Sequence, residues 1–162
     1  MTMQSSAKDH PEVIVFPPVI PVGGLVLGLI LEHFFPVAAK VDWPPPVWRG
    51  FVGIALLLVG IAFMVSARVT LKKAGTNVHP GSPALHLVES GPFRRSRNPM
   101  YLGGNLVLVG LSLVFRLYWI PVLMPVLIMI CHYGVILREE AYLERRFGQV
   151  YIDYKARVRR WL

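Results

Sequence analysis

Four stretches of this chain, residues 18–35, 47–67, 99–115 and 117–137, are apolar and almost free of charge, and the charged residues gather in blocks between them. At about 1.5 Å of rise per residue, helices of such lengths match a hydrocarbon core about 30 Å thick. Only 16% of the residues are charged and 54% are hydrophobic, whereas a soluble domain carries about a quarter charged. The pattern predicts an all-α integral membrane protein with four transmembrane helices, a long cytoplasmic middle segment and an amphipathic C-terminal helical tail. Residues 1–17 are read as a flexible N-terminal tail, 18–67 as the first two spans, and 68–162 as the core that carries the chemistry.

The blocks of charge also orient the chain. All of the 17 Lys and Arg except Lys40, Arg49 and Arg116 fall on one side if there are four spans. Positive charge favours the cytoplasmic face, so both termini and the segment between the second and third spans are expected there. The net charge of +8 then points to the anionic face of a lipid bilayer as partner and not to nucleic acid. Cys131 stands alone in an apolar run, and His10, His33, His79, His86 and His132 show no paired ligand spacing. No metal site is expected.

The middle segment, Arg68 to Asn98, is broken by Gly75, Pro80, Gly81, Pro83 and Pro92, and long irregular connections of this kind are usually functional or disordered. Leu85 to Val88 reads as a short ordered piece leading to Gly91 and Pro92. Pro44 to Pro46, with Trp43 and Trp48, forms a rigid interfacial connector. Pro99 suits the first position of a helix, where its missing N–H costs nothing. Arg94, Arg95, Arg97 and Asn98 therefore crowd the entrance of the third span, a setting suited to a carboxylate or other anionic group, or to holding the helix in orientation. Gly103, Gly104 and Gly110 on that span allow close helix packing or close approach of a ligand. Pro121 and Pro125 are expected to kink the fourth.

Beyond Arg138 the period changes. Leu143, Phe147, Val150, Tyr154, Val158 and Trp161 recur at spacings of three and four, with Gly148 as a break between two helical pieces. Glu140 falls on this apolar stripe, and an inward carboxylate needs a partner. Arg97 or a bound ligand is the expected one. Glu139 either shares that role or faces water, and Glu139 and Glu140 forming only local ion pairs with Arg138 or Arg145 is the plainer alternative.

The run Arg97 Asn98 Pro99 Met100 Tyr101 Leu102 Gly103, followed later by Glu139 Glu140, Leu143, Phe147 Gly148, Tyr151, Tyr154 and Val158, resembles the isoprenylcysteine carboxyl methyltransferase family, relatives of the phospholipid N-methyltransferases. The likeness covers roughly residues 70–162. It implies a membrane-embedded methyltransferase that uses S-adenosyl-L-methionine in a cytosolic pocket and acts on a lipophilic acceptor. Carried over to this chain, Arg97, Asn98, Pro99, Tyr101 and Gly103 would line the pocket from one side. Glu139 and Glu140 would line it from the other with Tyr151 and Tyr154 nearby, while Leu87, Val88 and Gly91 would offer backbone contacts. Arg97 and Glu140 are the expected catalytic pair. Asn98 stands where the family most often has histidine, so this position hydrogen-bonds but carries no charge.

The acceptor stays open among a prenylated cysteine carboxylate, a phospholipid amine, a small thiol and another lipophilic acid. No Gly-rich fingerprint follows a strand pattern, which excludes a soluble Rossmann-type methyltransferase. Two other classes share some features. Membrane sterol reductases have a similar turn but are much larger, and a four-helix proton-coupled transporter would rely on Glu32.

Overall fold

The computed structural model describes residues 10–37, 45–78 and 82–162. Lys8, Lys40, Trp43, Pro44, His79, Pro80 and Gly81 lie outside them. Among the described residues the chain is all helical: α1 (Val19–Phe34), α2 (Pro46–Lys73), a 3-10 turn (Gly91–Arg94), α3 (Pro99–Phe115), α4 (Trp119–Cys131), a π segment (His132–Ile136), α5 (Leu137–Phe147) and α6 (Gln149–Arg157). Two continuous helices, Pro46–Lys73 and Trp119–Phe147, are long and apolar enough to cross a membrane. α1 and α3, with 16 and 17 residues, are shorter. The side chains of Val22, Val26, Phe51, Leu58, Val122 and Val126 point outward, and a solvent of lipid makes such exposure favourable.

Small residues set how the helices meet. A Cβ on Gly60 would stand 2.6 Å from the carbonyl oxygen of Gly103, and one on Gly103 would stand 2.6 Å from that of Gly60. Gly53 and Gly110 repeat the arrangement seven residues along each helix, at 3.1 and 2.8 Å. The backbones of α2 and α3 therefore touch, antiparallel, as small residues permit inside membranes. α1 and α4 meet differently: Ile120 occupies the space that Gly28 leaves, and Leu127 occupies that beside Gly24. A core of Ile20, Leu108, Leu117, Ile120, Met124, Leu127 and Val135 joins the two pairs. At one end the Trp119 indole donates to the Phe35 carbonyl (2.9 Å) and Arg49 reaches the Tyr118 hydroxyl (3.4 Å), so successive helices alternate in direction.

Three boundaries differ from those expected. α2 continues through Arg68 to Lys73 because no breaker occurs before Gly75. The fourth apolar stretch does not stop at Leu137; it runs through the π segment into α5, since nothing between Pro125 and Gly148 interrupts it. Residues 10–17, read as the end of a flexible tail, lie against this helix. The Ile14 N–H donates to the Gly134 carbonyl (3.0 Å), Arg138 reaches the Glu12 carbonyl (3.2 Å), and Val13 and Val15 cover the core. Gly148 does separate two helices, with φ of +55°, a conformation that costs glycine little.

Candidate active site

The entrance of α3 is stitched to the segment that follows α6. The Arg97 N–H donates to the Arg159 carbonyl (3.0 Å), and both the Ser96 hydroxyl and the Asn98 amide donate to the Arg160 carbonyl (3.2 Å each). Asn98 is thus committed to holding two segments together. Its own N–H is taken by the Ser96 hydroxyl at 3.1 Å. Pro99, fully buried, opens the helix as its fixed φ predicts.

These bonds bring two guanidiniums onto one buried carboxylate. Arg160 grips Glu140 through Nε to Oε1 (2.9 Å) and Nη2 to Oε2 (2.8 Å), the two-pronged geometry that gives arginine–carboxylate pairs their strength. Arg97 approaches the same carboxylate at 3.2 Å, with side-chain exposures of 9% for Arg97 and 7% for Glu140. Its Nε and Nη1 are nevertheless buried without a hydrogen-bond partner. Two positive groups on one negative group leave an excess of one positive charge, and a buried donor left unmade is costly.

A second carboxylate faces α3. The Tyr101 hydroxyl donates to Glu139 at 2.9 and 3.0 Å from its two oxygens. The π segment accounts for this pairing. In an uninterrupted α-helix the residue seven on from Cys131 would share its face, at about 100° per residue, and that residue is Arg138. One π turn inserts an extra residue into the helical register, so Glu139 comes round and Arg138 turns outward.

Both carboxylates border a cavity of about 420 Å³. From Arg97, just before α3, its wall runs along that helix to Leu108 through Tyr101, Gly104 and Asn105, and opposite these from Glu140 and Glu139 to Cys131 and Leu127. Ten residues of α3 amount to about 15 Å. One end is therefore charged and the other, where Ile20, Pro21 and Val22 of α1 join it, is apolar. Tyr151 and Tyr154 of α6 close the charged end; their rings lie 6.1 Å apart, and the Tyr154 hydroxyl donates to the Phe93 carbonyl at 2.8 Å. Burial first, then the Glu140 carboxylate, push the Tyr151 hydroxyl up to about 12 against the pull of Arg97, so it stays a donor at neutral pH. The segment 82–88 folds over the cavity. Leu85 and His86 donate their N–H groups to the Thr76 hydroxyl (3.0 and 3.3 Å), and Ala84 donates to the Tyr142 hydroxyl (3.0 Å).

The model of the phospholipid methyltransferase family matches residues 48–150. The chain belongs to that family. An uncharacterized protein of Haemophilus influenzae is 42% identical to it over 65 residues, which are 39% of this chain and the whole of the relative. The phospholipid methyltransferase match runs from the third residue of α2 through α5 and ends two residues into α6, so both glutamates lie inside it and Tyr151, Tyr154 and Arg160 lie beyond it. With its apolar helices, the chain is a membrane-associated methyltransferase.

Of the residues singled out in the sequence, the structure of this phospholipid methyltransferase relative brings Leu87, Val88, Arg97, Asn98, Pro99, Tyr101, Glu139, Glu140, Tyr151 and Tyr154 to the one cavity. Gly91 and Gly103 are not on its wall. Gly103 is consumed by the contact with Gly60, and Gly91, at φ +58°, turns beneath Thr70 of α2, whose Oγ1 would be 2.8 Å from an added Cβ. Arg160 was missed, because in sequence it is one more cation in a basic tail. Tyr142, Asn105 and Phe93 were missed too; Asn105 is an amide inside an apolar run, and that break in composition was a readable signal. Glu32 lies ten residues along α1 from the cavity-lining Val22, about 15 Å away by helical rise. Among the described residues no three His, Cys, Asp or Glu side chains group as a metal site would require.

Proposed function

We propose that this protein transfers a methyl group from S-adenosyl-L-methionine to a lipophilic acceptor, in the manner of the isoprenylcysteine carboxyl O-methyltransferases. The observation that carries the reading is one cavity with charged groups of both signs at one end and apolar walls at the other. The residues present suit the cofactor. Arg97, ion-paired with Glu140, keeps its buried Nε and Nη1 without a hydrogen-bond partner, and with Arg160 it leaves a positive surplus beside Glu140, which a carboxylate satisfies. Glu139, together with the faces of Tyr151 and Tyr154, suits a cationic sulfur and ribose hydroxyls.

When bound, S-adenosyl-L-methionine supplies an electrophilic methyl group on a sulfonium. The protein's part is mainly positioning and exclusion of water. Arg97 and Glu140 fix the charged end, Tyr101 holds the Glu139 carboxylate in one orientation, and segment 82–88 covers the site. Asn98 carries no titratable proton and is occupied with the Arg160 carbonyl, which assigns it to architecture and not to proton transfer. An acceptor carboxylate or thiolate needs no base. A phospholipid amine or a small thiol is the alternative acceptor, and the family's description favours the former.

The reading includes four spans, with termini and cavity on the cytoplasmic face, supported by the alternation of helix direction and by the distribution of Lys and Arg. Its test is titration calorimetry of the purified protein in detergent, with S-adenosyl-L-methionine and, separately, NADPH. Saturable binding of the first alone is expected, and Arg97→Ala and Glu140→Ala should each weaken it at least tenfold, about 1.4 kcal/mol. Unaltered binding in both variants would remove these residues from the site. Binding of neither ligand by folded protein would overturn the enzyme reading.

A further inference from the structure

The three arginines before α3 do not share one fate. Arg97 turns inward to Glu140, whereas Arg94 and Arg95 are exposed and, among the described residues, neither side chain makes an ion pair or hydrogen bond. Both line a separate groove with Gly91 and Pro92 of the 3-10 turn and with Ala62, Phe63 and Ser66 of α2. The groove has two chemistries in sequence. Arg94, Arg95 and Ser66 give its wall polar groups, and Ala62 and Phe63 lie about one turn from Ser66 along α2. Residues 52, 55, 59, 62 and 66 recur at spacings of three and four and so share a face; Val52 and Val59, both outward, extend it as an apolar track.

We infer that this groove binds one anionic phospholipid, its phosphate between Arg94 and Arg95 and an acyl chain along the Val59–Val52 face of α2. Charge complementarity selects the headgroup: arginine forks match phosphate oxygens, and a zwitterionic lipid adds a cation that two arginines disfavour. The apolar track selects a lipid over a soluble phosphate, because a free anion leaves Phe63 and Val59 uncovered. The site lies back to back with the cavity. Phe93, between Pro92 and Arg94, faces the cavity and its carbonyl holds Tyr154, so the bound lipid steadies the turn that separates the two. The inference does not depend on the methyltransferase reading.

The test is native mass spectrometry of the full chain released from detergent, titrated with phosphatidylglycerol or with phosphatidylcholine of the same acyl chains. Expected is retention of one phosphatidylglycerol at concentrations where phosphatidylcholine is not retained, and at least a tenfold weaker retention in Arg94→Gln/Arg95→Gln. The variant Arg145→Gln/Arg159→Gln, which removes the same charge from the tail, should retain the lipid as the unaltered protein does. Glycerol phosphate should not compete. Equal retention by the Arg94/Arg95 variant, equal losses in both double variants, or displacement by glycerol phosphate would each overturn the site, the last by making the ligand a soluble anion.

Discussion

At the scale of single residues, the chemistry rests on which charges are paired. Arg160 makes the shorter and better aligned contacts with Glu140, and Arg97 the looser one. Arg160→Ala should therefore leave Arg97 to move onto Glu140 and cancel the surplus charge. Calorimetry should show at least a tenfold loss of S-adenosyl-L-methionine affinity, as for Arg97→Ala; an unchanged Kd would mean that the surplus plays no part. Tyr151 gives a pH test. Its folded pKa of about 12 lies above the ordinary 10.0, so the neutral form is favoured in the native state. Its contribution to stability is complete below pH 10 and is lost as pH rises toward 12. Thermal midpoints in detergent should fall across that window, and Tyr151→Phe should flatten the fall.

At the scale of elements, the π segment decides which side chain of a charged run meets the cavity. Inserting one alanine after Tyr133, which is exposed, places Arg138 eight residues on from Cys131 across the π turn, the place Glu139 now holds, and should bring Arg138 round in its stead. The expected result is a helical, folded protein by circular dichroism that no longer binds the cofactor. Retained binding would mean that the register has no such role. This element is also where sequence reading reached its limit. The start and end of α3, the break at Gly148 and the inward turn of Glu140 were legible, because Pro99, Gly148 and an apolar spacing of three and four each dictate local geometry. The facing of Glu139 was not, since an inserted residue in a helix leaves no mark in the period. Nor was the clamp of Arg160 on Glu140, which depends on how the chain returns after α6. Gly103 could have been assigned to a ligand or to a helix, and only the position of Gly60 decided it.

At the scale of the whole molecule, the two helix pairs differ in how firmly they are held: α2 and α3 by backbone contact, α1 and α4 by side chains set into glycine gaps. The cavity lies where the pairs meet. The proposed four-span arrangement places Ser82 and the loop around Phe35 on opposite faces. A cysteine introduced at Ser82, in a Cys131→Ser background, should react with an impermeant maleimide only from the cytoplasmic side of oriented vesicles, and one at Pro36 only from the other. Reaction of both from one side would rule out alternating spans.

The bonds from Ser96, Arg97 and Asn98 to the carbonyls of Arg159 and Arg160 connect positions 62 to 64 residues apart. Closing so long a loop costs entropy before any contact rewards it. The charged end of the cavity therefore exists only in molecules whose tail has docked, and a ligand that grips both sides draws undocked molecules into that population. Seen this way, the tail behaves as a latch whose engagement and whose ligand report on each other. Resistance of residues 149–162 to protease should rise with ligand occupancy, and the apparent affinity should fall wherever the tail is loosened.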